Sequence, residues 1–203
     1  MFPFNRVIKT LILTDLVIFT GWGFIAPIFA VFIVRSISAG DLHVAGIAVG
    51  IGLIVRSAAQ VPIGRFLDIN NGEKDDFWFM VVGMGIVSFV PLGYLLAAEA
   101  WHIYVLQALY GLGMAMYSPP WGGIFMRHMN KGKEAEVWGI ESSALGMGAG
   151  VAGMAGGFLA EAFGFKALFI VASTMNFVGV AGYFYIRESI APKEGQTVAF
   201  PKH

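Results

Sequence analysis

Long apolar runs separated by short polar breaks organise this chain. The runs occupy roughly 9–34, 43–67, 77–98, 101–126, 136–162 and 164–187, each at least the length of about 20 residues that a helix needs to cross a hydrocarbon core. Turn formers and charges gather in the breaks, at 36–41, 70–76, 98–102, 127–136 and 161–166. Breaks this short predict that successive helices are antiparallel neighbours. The expected architecture is therefore an all-α integral membrane protein with six transmembrane helices in one domain, 1–188. A polar tail, 189–203, completes it. The pattern leaves no extramembrane domain to house an active site.

Composition agrees with lipid as the solvent. The chain is 57% hydrophobic and 13% charged, against about 25% charged in soluble domains, and its mean hydropathy is +0.73. Net charge is zero and no basic run occurs, so no nucleic-acid partner is expected. Arg6 and Lys9 precede the first apolar run as in a signal peptide. That run reaches Val34, well past the usual 7–15 or so residues, and Asp15 interrupts it, so a retained helix is the better reading. With a cytoplasmic N-terminus, the inner side carries Arg6, Lys9, Arg65, Lys74, Arg127, Lys131, Lys133, Arg187, Lys193 and Lys202, and the outer side only Arg35 and Lys166. By the positive-inside rule both termini are cytoplasmic, in what is expected to be a prokaryotic cytoplasmic membrane.

Chemistry narrows the function further. There is no cysteine, hence no disulfide or thiolate site. His43, His102, His128 and His203 are scattered without metal-ligand spacing. No phosphate loop, nucleophile elbow or zinc-protease motif occurs, so neither a cofactor, ATP drive nor an enzyme is expected.

The polar residues inside the runs are the sharper signal, since a charge at the bilayer centre costs about 3 kcal/mol on insertion scales. Asp15 in span one, Arg56 and Gln60 in span two and Glu141 in span five are such residues. At 1.5 Å per residue, Asp15 lies roughly 9 Å inside the cytoplasmic face, level with Gln60, and Arg56 about 6 Å deeper. An Asp15–Arg56 pair is then within reach. Three readings stand: a structural ion pair, a contact to a charged solute, or a protonatable carboxylate at Asp15. Glu141 is expected at the inner interface.

Span four carries Gln107, Tyr110, Met114, Tyr117 and Trp121 at three- and four-residue spacing, with Ser118 alongside. That stripe suits either packing or the wall of a solute cavity. Small residues line one face of span five (Ser142, Gly146, Gly150, Gly153, Gly157) and of span two (Gly46, Gly50, Ser57, Gly64), where helix backbones can approach closely in lipid. Spans three and six carry few polar groups and are expected to face lipid, Val87 among them. Pro27 and Pro119-Pro120 remove backbone donors and are expected to kink spans one and four.

Three segments carry a resemblance. The link after span two reads Gly64-Arg65-Phe66-Leu67-Asp68-Ile69-Asn70-Asn71-Gly72-Glu73-Lys74 and resembles the major facilitator signature G-x-x-x-D-(R/K)-x-G-R-(R/K). Gln107-Ala108-Leu109-Tyr110-Gly111-Leu112-Gly113 is similar to the fourth-helix pattern R-x-x-x-G-x-G, with Gln107 at the arginine position. The stretch from Gly148 to Gly157 resembles G-x-x-x-G-P-x-x-G-G, with Ala152-Gly153 replacing Gly-Pro.

The resemblance implies one six-helix half of a major facilitator transporter, moving a small-molecule substrate with a proton or sodium as possible coupling ion. Family halves are related by a pseudo-two-fold axis along the membrane normal, so a homodimer would replace the pseudo-axis with an exact one. A different six-helix partner, a non-transporting scaffold or receptor, and a fragment of a longer transporter are the alternatives. By the resemblance, spans two and five meet the other half, and their packing within one half is the rival reading. Asp15, Arg56, Gln60, Gln107, Tyr110, Tyr117 and Trp121 would face the cavity. Gly64, Arg65, Asp68 and Arg127 would form a cytoplasmic gate, Asp68 pairing with Arg127 or Arg65.

Overall fold

The computed structural model describes residues 5–70 and 72–190, all but a few of them helical. Most of the expected tail, 189–203, lies outside the described residues. Helix α1 (Arg6–Ile25) starts on Asn5, whose side chain accepts from the Val7 amide at 3.2 Å, satisfying one of the orphan donors of a helix start. A 3-10 turn holding Pro27 (Ala26–Ile28) separates it from α2 (Phe29–Ser36). Then follow α3 (Leu42–Asn70), α4 (Glu73–Tyr94), α5 (Ala100–His128) and α6 (Glu134–Tyr183), with a 3-10 turn (Phe184–Ile186) and short α7 (Arg187–Ile190). Pro27 thus breaks the first helix as expected. Helix α5, in contrast, continues through Pro119 and Pro120.

Among the described residues four stretches are long and apolar enough to cross a membrane: Arg6–Ser36, Leu42–Ile69, Glu73–Tyr94 and Glu134–Ile190. The last is not one straight rod. Gly164 has φ 77° and ψ 168°, a region that L side chains avoid and glycine enters freely. It divides α6 into a first arm, 134–163, and a second arm, 165–183.

Contacts along α1 show that the two arms run in opposite directions. Leu16 lies against Gly148 and Phe24 against Gly156, so the first arm runs parallel to α1. On the second arm Gly21 meets Ala172 and Asn176, and Ile18 and Thr14 meet Gly179, so that arm returns antiparallel. These approaches require glycine. A Cβ on Gly23 would sit 2.8 Å from Ala149 Cα, and one on Gly156 would collide with the Phe24 carbonyl.

The remaining helices pack as a second layer. Helix α5 runs parallel to α3, with Gly52 against Gln107 and Gly64 facing Pro119, and antiparallel to α4, where Gly83 meets Gly113 and Tyr117. Helix α4 also lies antiparallel to the second arm: Phe89 packs on Phe177 (ring centroids 4.8 Å) and Phe77 on Phe184 (5.7 Å). Two apolar clusters fill the interior. One gathers Leu11, Met80, Met84, Ile124, Phe125 and Tyr183, the other Ile25, Ile33, Tyr94, Ile103 and Phe169.

Spans three and six therefore do not simply face lipid. Val87 is 0% exposed, and Ser88, Ser173, Asn176 and Tyr183 are buried with it. Ser173 Oγ donates to the Ser88 carbonyl at 2.7 Å, tying α4 to the second arm. The physical reason is that an apolar residue suits both lipid and protein interior, so hydropathy alone does not separate the two. Helix α3 is the outlying element. It turns Ile47, Leu53, Ile54, Val61 and Phe66 outward.

Candidate functional site

A carboxyl is held at the centre of the first cluster. Asp15 is 0% exposed. The Tyr117 hydroxyl donates to its Oδ1 at 2.8 Å, and the Tyr183 hydroxyl donates to the same oxygen. Glycine-fitted packing of α1 against the second arm brings Tyr183 there, and the α4–α5 contact at Gly83 seats Tyr117. Asp15 Oδ2 and Trp121 Nε1 are both buried without a hydrogen-bond partner. A buried unsatisfied polar atom costs about 1–3 kcal/mol, and here the indole lies close enough to the carboxyl to act on it.

The Asp15–Arg56 ion pair, one of the three readings of these charges, is absent among the described residues. Arg56 Nη2 donates instead to Ser118 Oγ at 3.0 Å. Tyr117 and Ser118 are consecutive on α5 and point about 100° apart. Neighbouring residues of one helix thus hold the two charges, in two different directions. Depth along a span leaves out helix rotation, which decides which partner each charge reaches.

The other expected cavity residues divide. Tyr110 stacks at a tilt on Trp22 with ring centroids 4.6 Å apart. Gln60 is half-buried on α3, one turn beyond Arg56. Gln107 turns away, donating to the Tyr94 hydroxyl at 3.1 Å inside the α4–α5 contact. Trp121 stacks on Phe125 at 4.6 Å, with Trp138 edge-on to both. Glu141 is buried on the first arm. The constant offset between α1 and that arm puts Asp15 level with Met147, so Glu141 sits about 9 Å nearer the start of α6.

At the end of the bundle where α4 begins and α5 ends, Arg127, expected at a gate with Asp68, pairs with other acids. Arg127 Nε lies 2.9 Å from Glu73 Oε1, and Arg127 Nη2 contacts Asp76 Oδ2. His128 Nε2 lies 3.2 Å from Glu73 Oε2, and Asn5 Nδ2 lies 3.4 Å from His128 Nδ1. Asp68 and Arg65 are exposed on α3 and make no ion pair with this cluster among the described residues, although Asp68 is within electrostatic range of Asp76. Antiparallel packing explains the exchange. It sets the acidic start of α4 (Glu73, Asp75, Asp76) beside the basic end of α5 (Arg127, His128), the charge placement each helix dipole favours.

The glycines of the expected dimer interface also divide. A Cβ at Gly46, Gly50, Gly146, Gly150 or Gly157 would meet nothing within 4 Å, and Ser57 is exposed. Gly153 instead faces inward, toward the Gly23 carbonyl and Pro27 at 3.8 Å.

Sequence reasoning missed Tyr183, Trp22 and Asn176. In the amide orientation that satisfies both its groups, Asn176 donates to the Ile18 carbonyl at 2.9 Å and accepts from Trp22 Nε1 at 3.1 Å. A signal for Tyr183 existed. It lies four residues, roughly 6 Å, from the inner end of span six, near the depth assigned to Asp15. Depth counting applied to hydroxyls as well as charges would have found it.

No curated protein matches the chain. Among solved structures it is similar to the POT family transporter PepTSo, crystallised in meso, with a TM-score of 0.73 at 14% identity. The likeness covers 97% of this chain and 40% of that one, so the chain spans less than half of the transporter it matches. The model of the Major Facilitator Superfamily matches residues 11–202, and the chain belongs to that superfamily.

Proposed function

We propose that the chain is one six-helix half of a secondary transporter or facilitator for a small solute, working as a homodimer by alternating access. In this reading α1 with α2, α3, α4, α5 and the two arms of α6 are the six spans, and both termini are cytoplasmic. The observation that carries it is the pairing of two open glycine faces, on α3 and the first arm, with a polar belt on α1 and α5. Among the described residues a Cβ at Gly46, Gly50, Gly146, Gly150 or Gly157 would meet nothing within 4 Å, and small open faces are how helices associate in lipid. A second copy related by an axis along the membrane normal would cover both faces and enclose the belt. Asp15, held by two hydroxyls and no cation among the described residues, suits a proton-accepting role in coupling.

The absence of cysteine allows a direct test. Single cysteines at Gly46 and at Gly150 are expected to crosslink copies in native membranes. Val178, 60% exposed on the second arm, is the control expected to stay monomeric; Val87 is too buried to serve. Failure at both interface sites would sink the homodimer.

A further inference from the structure

The charges inside the apolar spans differ in what they can reach. Asp15 is enclosed and its Oδ1 is taken by Tyr117 and Tyr183. Arg56 is half-buried, and its protein acceptor among the described residues is Ser118 Oγ at 3.0 Å. A guanidinium carries five N–H donors in a planar fork, so most of its hydrogen-bonding capacity is unspent. It pairs with no carboxylate among the described residues.

Its surroundings are polar and open. Tyr110, two turns from Ser118 on α5, is within electrostatic range of the guanidinium. Gln60 follows one turn along α3, and Gly122, one turn beyond Ser118, leaves the wall of α5 clear, with nothing within 4 Å of a Cβ there. A cation kept within an apolar span costs about 3 kcal/mol or more unless an anion or a wet cavity meets it. No acid among the described residues does so.

We infer that the solute is a small anion, a carboxylate or inorganic oxyanion, whose oxygens Arg56 binds through its fork while Ser118 aims it. This rests on the transporter reading above and adds the sign of the solute's charge. The planar fork matches two oxygens of one anion, a geometry that a lysine ammonium does not reproduce. In the homodimer the two-fold axis supplies a second Arg56, which favours a solute with two anionic ends. Ser118 is a positioning residue: it holds the guanidinium and leaves the solute to the remaining donors.

The test uses the full chain in lipid nanodiscs, titrated with sodium succinate, sodium phosphate, tetraethylammonium chloride and sucrose while the thermal midpoint is followed. Succinate or phosphate is expected to raise the midpoint saturably, and whichever acts identifies the source of the oxygens. The ammonium and the sugar are expected to have no effect. Arg56→Gln should weaken the apparent affinity about tenfold or more, and Arg56→Lys should recover only part of it, as for loss of a bidentate charge-assisted contact. Ser118→Ala should weaken it several-fold, with Ser118→Thr, which keeps a hydroxyl, restoring it. Should Arg56→Gln fail to run as a monodisperse species, the lysine and Ser118 variants carry the test. Saturable stabilisation by the ammonium or the sugar alone would overturn the anion and leave the transporter reading intact. No response to any probe, or anion affinities equal in wild type and all variants, would also overturn it. The homodimer stands or falls separately, on the Gly46 and Gly150 crosslinks.

Discussion

Two glycine-lined surfaces of this molecule have the same composition and opposite fates. Where α1 meets α6, Gly21, Gly23, Gly148, Gly156 and Gly179 are pressed against backbone or side chains of the opposing helix. On α3 and the outward side of the first arm, Gly46, Gly50, Gly146, Gly150 and Gly157 touch nothing. A glycine stripe states that something approaches closely. It does not state whether that something is the same chain. Gly153 shows how fine the division is, since it belongs to the open stripe by spacing and faces α1 in the fold.

Adjacent glycines offer the strongest way to break this contrast. Gly156→Leu drives a side chain into the Phe24 backbone. Overpacking typically costs about 1–3 kcal/mol and rises when backbone must move, so this variant should lose monodisperse, folded protein in detergent. Gly157→Leu, one residue on, should keep the thermal midpoint of the half and lose only association between copies. Equal losses in both variants would mean that the open face is not open.

The next effect tests the closed side at its polar centre. Tyr183→Phe and Tyr117→Phe each remove a donor from Asp15 and should each destabilise by about 1.5–3 kcal/mol, the range for hydrogen bonds to charged groups. In a background of Asp15→Leu both costs should shrink toward zero, a coupling that a double-mutant cycle in thermal midpoint reads directly. Costs that persist without Asp15 would assign the tyrosines to packing alone.

A smaller change is expected at the rim. Arg127 is 47% exposed where it meets Glu73 and Asp76, so solvent screens the cluster and Arg127→Ala should cost about 1 kcal/mol or less. The difference from wild type should narrow as salt is raised. Least of all, Ser57→Ala on the outer face of α3 should leave the unfolding free energy within about 0.5 kcal/mol of wild type.

Much of this was legible in the chain. Runs of suitable length gave an all-helical membrane protein, and Asp15 and Arg56 were singled out because charge in lipid demands a reason. The family was visible in Gly64, Asp68 and the Gly148–Gly157 stretch. What escaped was partnership. Asp15 binds two tyrosines, one from the expected span four and one from span six, because side-chain reach depends on helix rotation, which depth counting does not contain. Arg127 chose Glu73 and Asp76 over Asp68 because the α4–α5 contact brings their ends together. Val87 read as lipid-facing because lipid and a protein interior reward the same residue.

The adjacency of Tyr117 and Ser118 has a mechanical meaning. A rigid helix cannot turn one residue without turning the next, so α5 behaves as a camshaft with two lobes. Any rotation that releases the carboxyl from Tyr117 also swings the hydroxyl that anchors Arg56. Two opposite charges on two different helices are thereby geared to one axle, and no chain of intermediaries is needed for one to register what happens to the other.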